Sequence, residues 1–474
     1  MPSFLCKLTP SSSSFKTLLL LFATITALYF LLLSRHLPSE PPPLHIHNHS
    51  SQNPLPSPAA TTLHHLLFSL ASTSRTLPAR TPYVRLWYAP PHVRAFLFLD
   101  RPLSVSEHPD LLALPPVVVS SDTTRFPYTY PRGLRSAIRV ARIVKEAVHL
   151  NESGVRWYVF GDDDTVFFVD NLAGVLSKYD HRRWFYVGSC SESYEQNQKH
   201  SFDMAYGGGG FAISASLAEA LAAVLDSCLM RYGHLYGGDE RIYSCVAELG
   251  VGLTREPGFH QVDMRGNLFG MLSAHPLSPL LSLHHVDTAD PIFPKMSKAD
   301  SIGHLFEAAR FDPYRVLQQT VCYDSSNLLT VSVSWGHSVQ VYEGHMLLPD
   351  LLPLQKTFMP WRRNRNINAS HYMFNTRMLP KDPCKNPVVY FLQSVVPHRD
   401  GALSSFRRFK VRNCFNSSII GLEHVRVFSK KIEMDVEELK SPRRQCCSVR
   451  SISWDVMVID IRLCGTNELI SMQQ

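Results

Sequence analysis

Apolar positions along the chain change texture twice. The first texture is one block, Thr17 to Leu33, with no charge in it. The second begins near residue 82, where short apolar runs alternate with helical spacing. Val84–Tyr88, Ala95–Leu99 and Val117–Val119 predict strands, and Asp100 ends the second of them before Arg101-Pro102. Leu134, Ile138, Ala141, Val144 and Val148 share one face of a helix predicted over 133–149. Trp157–Phe160 predicts a buried strand that stops at Gly161, delivers Asp162, Asp163 and Asp164, and is followed by the apolar run Val166–Val169. A short helix over Leu172–Tyr179 and a strand over Trp184–Gly188 come next. The strand-like segment Ala205–Ile213 holds four glycines, Gly207 to Gly210. Ser216 and Glu219 have capping-box spacing at the head of an Ala/Leu-rich helix, with Gly233 beyond its end. Asp239-Glu240 opens another helix to about Leu249, with Asp239 at the N-cap position.

Strand, strand, helix, strand, with acids at a carboxyl-terminal strand end, predicts an open α/β sheet whose ligands bind beyond those ends. From about residue 300 the texture changes again to alternation. Leu328–Trp335, Val339–Tyr342, Val388–Leu392, Glu423–Ser429 and Trp454–Ile461 predict strands of a β-rich region.

The amino-terminal block has Lys7 and Lys16 before it and Arg35 after it. It is longer than a signal-peptide core, no small-x-small cleavage site follows it, and a Pro/Ser/His-rich stretch does. The chain is therefore expected to divide into a cytosolic tail (1–16), a transmembrane signal anchor (17–34), a stalk (35–81), an α/β domain (82–298) and a β-rich domain (299–474). Positive charge ahead of the block sets the amino terminus in the cytosol, a single-pass type II arrangement. Asn-x-Ser sequons at Asn48, Asn151, Asn368 and Asn416, and cysteines at 190, 228, 245, 322, 384, 414, 446, 447 and 464, all lie beyond it. No paired CxxC is present, which argues against zinc and for disulfides in an oxidising lumen. Their odd number leaves one thiol free or paired with another chain. Hydrophobic residues at 45% and charged residues at 18% mark a folded protein. The net charge of +7 is spread without a dense basic block, which excludes a nucleic-acid partner.

Three adjacent carboxylates between buried runs cannot all ionise unless a cation sits among them. Hard carboxylate oxygens suit magnesium or manganese; a solvated acidic turn, the alternative, fits poorly with flanks this apolar. The four glycines read either as backbone that a bulky ligand approaches closely or as a tight hairpin. His284-His285 reads as a metal ligand or as a structural pair.

In order, Trp157-Tyr-Val-Phe-Gly-Asp-Asp-Asp-Thr165, Gly207-Gly-Gly-Gly-Phe211, Asp239-Glu240 and Leu283-His284 resemble the Fringe and core β-1,3-galactosyltransferase group, over roughly residues 82–290. The whole chain is similar to the plant Fringe-related proteins, including Thr357-Phe-Met-Pro-Trp361. The resemblance implies a GT-A-like nucleotide-sugar-binding domain, a mixed sheet flanked by helices, in a Golgi membrane protein. It also implies inverting, β-1,3-type transfer of a hexose or N-acetylhexosamine from a UDP-sugar, with Mn2+ or Mg2+, to a glycan or glycoprotein hydroxyl. Asp164, Asp162 and His284 would match the metal site, with His285 the nearby substitute for His284. Asp239 or Glu240 would match the catalytic base. Asp100, Asp162 and Asp163 would lie on the donor side, with Gly208 and Gly209 as a backbone wall. The family's Asp-Asp is Asp239-Glu240 here, and its Gly-Gly-Ala-Gly is four glycines. A lumenal glycan-binding scaffold that keeps the fold without turnover is the competing reading. A metal-dependent hydrolase or phosphotransferase would need Gly-Lys or Arg clusters beside the acids, and the sequence has none.

Overall fold

A computed structural model describes residues 12–36, 60–103, 112–362, 371–410, 419–433 and 435–471. The chain divides into two compact units, Met1–Pro58 and Ala59–Gln474. The first contains helix α1, Ser12–His36. Among the described residues no helix is long and apolar enough to cross a membrane. The segment expected as an anchor, 17–34, lies within α1. Residues 1–11 and 37–59, and the sequons at Asn48, Asn368 and Asn416, lie outside the described residues.

The second unit starts with β1 (Leu66–Ala71), α2 (Leu77–Trp87), β2 (Arg94–Leu99), β3 (Val117–Val119), α3 (Ser136–His149) and β4 (Trp157–Asp162). Then come β5 (Val166–Phe167), α4 (Val169–Leu176), β6 (Tyr186–Gly188), α5 (Tyr194–Lys199), β7 (Phe211–Ser214), α6 (Ala215–Arg231), α7 (Gly238–Glu248) and β8 (Leu253–Arg255). They build a seven-stranded sheet in the order β3-β2-β1-β4-β7-β6-β8. It is parallel from β3 to β4 and antiparallel where β7 enters between β4 and β6. This is the expected mixed sheet flanked by helices.

Period-two alternation explains the central strand. Trp157 and Val159 enter the core shared with Phe68 and Leu70, whereas Tyr158 and Phe160 face α3 and α6. Both faces are covered, so β4 reads as continuously apolar. Two expectations are corrected here. The stalk stretch holds β1, a central strand buried along its whole length. Val84–Tyr88 is no strand but the end of α2, because Leu77, Thr81, Val84 and Trp87 bury one helical face. The Ser216 capping box also fails: α6 starts at Ala215, and Ser216 Oγ instead donates to the Arg183 carbonyl at 3.1 Å.

A small three-stranded sheet sits beside the acids. β9 (Phe259–His260) and β10 (Met264–Gly266) precede α8 (Phe269–Ser273), β11 (Ser282–Leu283) and α9 (Lys298–Phe311). β11 pairs antiparallel with β5 (Leu283 opposite Val166) and parallel with β9 (Leu283 opposite His260).

The remaining strands are β12 (Gln319–Asp324), β13 (Leu329–Ser334), β14 (Ser338–Glu343), β15 (Leu354–Gln355), β16 (Phe358–Pro360), β17 (Thr376–Arg377), β18 (Val388–His398), β19 (Gly401–Arg408), β20 (His424–Lys430), β21 (Cys446–Ile452) and β22 (Val456–Arg462). Eight of them form one sheet, β12-β13-β14-β18-β19-β20-β22-β21. The disulfide Cys322–Cys447 joins its two edge strands at a Cα separation of 5.3 Å, so the sheet curls back on itself. Cys228–Cys245 and Cys446–Cys464 are also bonded, Cys384 is in a disulfide, and Cys190 is the free thiol among the described cysteines. The expected β-rich region is present, but no separate core divides it from the α/β part at 298/299. One apolar cluster runs from Leu66 to Ile461, and Phe168 stacks on Phe306 at 4.8 Å.

Phe167 is a keystone of that core, fully buried and packed edge-on against Phe68 and Trp87 at 5.3 and 5.2 Å. Replacing it by Ala is expected to lower unfolding free energy by about 3–5 kcal/mol, read by chemical denaturation. Phe167→Leu should cost clearly less, and equal losses in the two variants would contradict the packing account.

Candidate functional site

The acidic turn is held from three directions. Thr165, fully buried, accepts from the Asp162 amide at 2.8 Å and donates to the Gly208 carbonyl at 2.7 Å. That one hydroxyl ties the end of β4 to the glycine segment. Asp163 faces the link between β1 and α2, where its carboxylate accepts from Ser72 Oγ (2.7 Å) and Thr76 Oγ1 (2.9 Å). Asp164 lies between two cations: Arg80 Nη1 is 2.5 Å from Oδ2, and His284 Nε2 is 3.1 Å from Oδ1. Arg80 also pairs with Asp287 at 2.7 Å. Asp162, with its side chain 40% exposed, approaches His284 Nε2 at 3.8 Å.

His284 is placed by β11, whose pairing with β5 brings the segment beside the turn. Its amide donates to the His260 carbonyl at 3.1 Å, and its Nδ1 lies 3.3 Å from the Gln261 carbonyl. A carbonyl held against Nδ1 in this way orients the ring so that Nε2 faces the acids. Gly208 leaves the room for the ring, since a Cβ there would lie 2.1 Å from His284 Cε1. Gly210 has φ +83°, which an L side chain rarely adopts. Gly207 to Gly210 form a tight turn, closed by the Gly210 amide donating to the Gly207 carbonyl at 3.1 Å, and the close neighbours of Gly208, Gly209 and Gly210 are the protein's own His284 ring, Gln261 backbone and Phe167 ring. Gly209 contributes by its backbone, donating to Gln261 Oε1 at 2.6 Å and accepting from Ser282 Oγ.

Burial opposes the charge on Asp164, but His284 and Arg80 outweigh it and hold the carboxyl below its usual range. Burial likewise works against protonated His284, yet Asp164 and Asp162 bring it up to about 9. Desolvation pushes Asp162 up to about 7 against the pull of His284, with Asp164, Asp163 and Asp239 adding to the rise. Burial raises Asp163 too, partly offset by its hydroxyl partners. This is a negatively charged pocket that a proton on His284 now balances.

Asp162, Asp164 and His284 each offer a ligand atom, and these lie within 4.8 Å of one another. The two carboxylate oxygens suit Mn2+ or Mg2+, and the imidazole nitrogen favours the transition ion Mn2+ of the two. Cys446, Cys464 and Glu468 also cluster, but those two sulfurs are bonded to each other.

A cavity of about 550 Å³ opens over the set, lined by Asp162, Gly207, Gly208, Asp239, His284 and Trp361 among others. Asp239 is corrected from N-cap to the second helical position, since Gly237 is the cap of α7. Its carboxylate accepts from the Gly207 amide (3.3 Å) and the Glu240 amide (3.0 Å), and desolvation raises its pKa. Glu240 turns back instead. It accepts from the Tyr236 amide (2.6 Å) and the Gly237 amide (3.0 Å), and meets His200 Nδ1 at 2.5 Å. The structure thus separates the adjacent acids, with Asp239 alone lining the cavity.

Asp163 and Asp100 make contacts within the protein. Asp163 is spent on Ser72 and Thr76. Asp100 ends β2, exposed, and its Oδ1 accepts from the Ser74 amide at 2.7 Å; neither residue lines the cavity. His285 lies outside the Asp162–Asp164–His284 cluster: its Nδ1 is 3.4 Å from Asp263 without a hydrogen bond, and its ring stacks on Trp361 at 4.2 Å. Sequence reasoning missed Arg80, hidden in a supposed stalk whose helical spacing would have revealed it. Cavity-lining Trp361 and Arg362 come from the region read as non-catalytic; pairing of β16 with β10 carries them there.

The family described as "Protein of unknown function, DUF604" matches residues 196–447, over half of the chain. Curated relatives are the β-1,3-N-acetylglucosaminyltransferase lunatic fringe of Gallus gallus (32% identical over 128 residues, 23% of this chain and 34% of that protein) and of Danio rerio (31% over 128 residues, 23% and 33%). The chain thus spans about a third of the length of the curated relatives it matches. Among solved structures, a mannosyltransferase from Pyrobaculum calidifontis in complex with GDP-Man and Mn2+ is 14% identical (41% of this chain, 55% of that one, TM-score 0.25). An active-site mutant of LgtC is 10% identical (50% and 95%, TM-score 0.32).

Gly208→Ala is expected to displace the His284 ring and cut manganese affinity by at least tenfold while the protein stays folded. Titration calorimetry with MnCl2 and far-UV circular dichroism read the two quantities. Unchanged manganese affinity would show that the ring's position does not depend on the missing Cβ.

Proposed function

We propose that this chain, which belongs to the DUF604 family, is an inverting, metal-dependent glycosyltransferase. It moves a hexose or N-acetylhexosamine from a UDP-sugar to a glycan or glycoprotein hydroxyl, with β-1,3-type linkage. The observation that carries the reading is the opening of Asp162, His284 and Asp239 onto one glycine-lined cavity.

Asp162, Asp164 and His284 would hold manganese. Such an ion supplies Lewis-acid stabilisation of the charge that develops on a leaving diphosphate. Arg80 holds one oxygen of Asp164 and leaves the other facing His284. Gly207 and Gly208 let the sugar lie against backbone. Asp239 is the general base: it accepts the proton of the acceptor hydroxyl, whose oxygen bonds to the anomeric carbon as the bond to the diphosphate oxygen breaks. A single displacement of this kind inverts the anomeric centre. Burial raises the pKa of Asp239 and so makes it a stronger base than an exposed carboxylate. Glu240 fixes the first turn of α7. The disulfides favour an oxidising compartment, in line with a Golgi, type II protein anchored through residues 17–34.

One observation favours a second reading, a glycan-binding scaffold without turnover. The carboxylate oxygens of Asp239 accept backbone amides, as a purely structural acid at a helix start would. Kinetics separate the readings. With manganese, a panel of UDP-sugars should include one that raises the melting temperature of the protein and is transferred. Asp164→Ala should abolish that shift, Asp239→Asn should keep it while lowering kcat by about 10²–10⁴, and Glu240→Gln should stay within tenfold. A binding donor with no transfer, or no loss in Asp239→Asn, would favour the scaffold.

A further inference from the structure

The rim of the same cavity has chemistry that the transfer step leaves unused. Lys199 ends α5, is exposed, and lines the cavity with its ammonium 4.9 Å from the ring centroid of Tyr236. Arg362, exposed and next to Trp361, lines it too. Among the described residues neither cation has a carboxylate partner. His200, nearby, is taken by Glu240, and the acids of the cavity have other partners: Asp239 its backbone amides, Asp162 the His284 side, Asp263 the His285 ring and Ser191. Tyr236, which lines the cavity beside Lys199 and is 43% exposed, adds aromatic surface there. Deeper, Tyr206 is only 6% exposed and lines the cavity, yet its hydroxyl has no hydrogen-bond partner. An orphaned buried hydroxyl is costly and points to a group that is absent.

Resting on the transferase reading, we propose that this rim is the acceptor subsite and that it takes an acidic sugar, a uronate-bearing glycan. Its carboxylate is held by Lys199 and Arg362, its ring rests on Tyr236, and a hydroxyl meets Tyr206. An aromatic face supplies packing that any pyranose can use, whereas cations without partners discriminate in favour of a carboxylate. Guanidinium suits the planar carboxylate, and ammonium adds a point charge. The two cations come from distant parts of the chain, α5 and the segment after β16. Recognition of this kind therefore requires both halves.

The test uses the full chain and two probes, a glucuronate-terminated oligosaccharide and its glucose-terminated counterpart, titrated with and without UDP and manganese. The acidic probe is expected to bind at least tenfold tighter, with an advantage that shrinks as salt rises. Lys199→Gln with Arg362→Gln should erase the preference while manganese-dependent UDP binding stays within twofold. Tyr206→Phe should weaken both probes several-fold. Equal binding of the two probes, or a preference that survives the double substitution, would overturn the proposal. So would a double variant that loses UDP and not the acidic probe, since the cations would then serve the donor diphosphate. If UDP and manganese do not bind at all but the acidic preference is present and cation-dependent, the rim assignment stands and the transferase reading fails.

Discussion

Negative charge at the end of a buried strand is the constraint on which the rest depends. β4 and the turn after it deliver three consecutive carboxylates, two of them buried, and each is relieved by a different device. Asp163 takes two hydroxyls from the link after β1. Asp164 takes Arg80 from α2 and His284 from the segment after β11. Asp162 is left at the cavity, partly exposed and pushed up to about 7, mainly by desolvation. Removing one partner of a buried ion pair typically costs about 3–5 kcal/mol, so these partners position their elements as firmly as apolar packing does. The central strand, the helix after it and the small three-stranded sheet are arranged about this turn.

The same constraint explains why the chain does not divide into a catalytic and an accessory domain. His285 follows His284, adopts φ 53°, and stacks on Trp361. Trp361 in turn hangs from β16, which pairs with β10. The eight-stranded sheet, closed on itself through Cys322–Cys447, packs into the apolar cluster that underlies the acids. The β-rich half therefore supports one side of the histidine pair and supplies part of the cavity rim. Burying Trp335, Phe306 and Val339 in the common cluster adds about 1.5–3 kcal/mol for each large apolar side chain removed from water. That is ample reason for the halves to stay together.

Much of this was legible in the residues. Apolar runs disclosed β2 and β4 and alternation disclosed β13 and β14, each to within a residue or two, and helical spacing disclosed α3 and α6. The acids, glycines and His284 could be chosen because each violates the pattern around it: charges between buried runs, four glycines in a strand, a histidine after leucines. What stayed hidden follows ordinary helical or strand patterns. Arg80 looks like any basic residue on an amphipathic helix, and proline-rich surroundings disguised that helix. β1 was obscured by the polar His64-His65 before it. The use of Asp163 depends on Ser72 and Thr76, some ninety residues away, and local sequence carries no trace of that pairing. Trp361 was visible as a motif, but its meaning required the pairing of β10 with β16.

The two acids that open α7 show how a departure from the resembled pattern can be read physically. Successive helical residues point about 100° apart, so Asp239 and Glu240 cannot both face the cavity from the first turn. The short side chain at the second position stays at the cavity wall beside Gly207. The longer one at the third position reaches back over the helix start to the amides of Tyr236 and Gly237 and to His200. A second aspartate there would be one methylene shorter and could not span the same partners, so glutamate is the residue that this first turn requires. The departure thus leaves the cavity's acid in place and strengthens the helix that presents it.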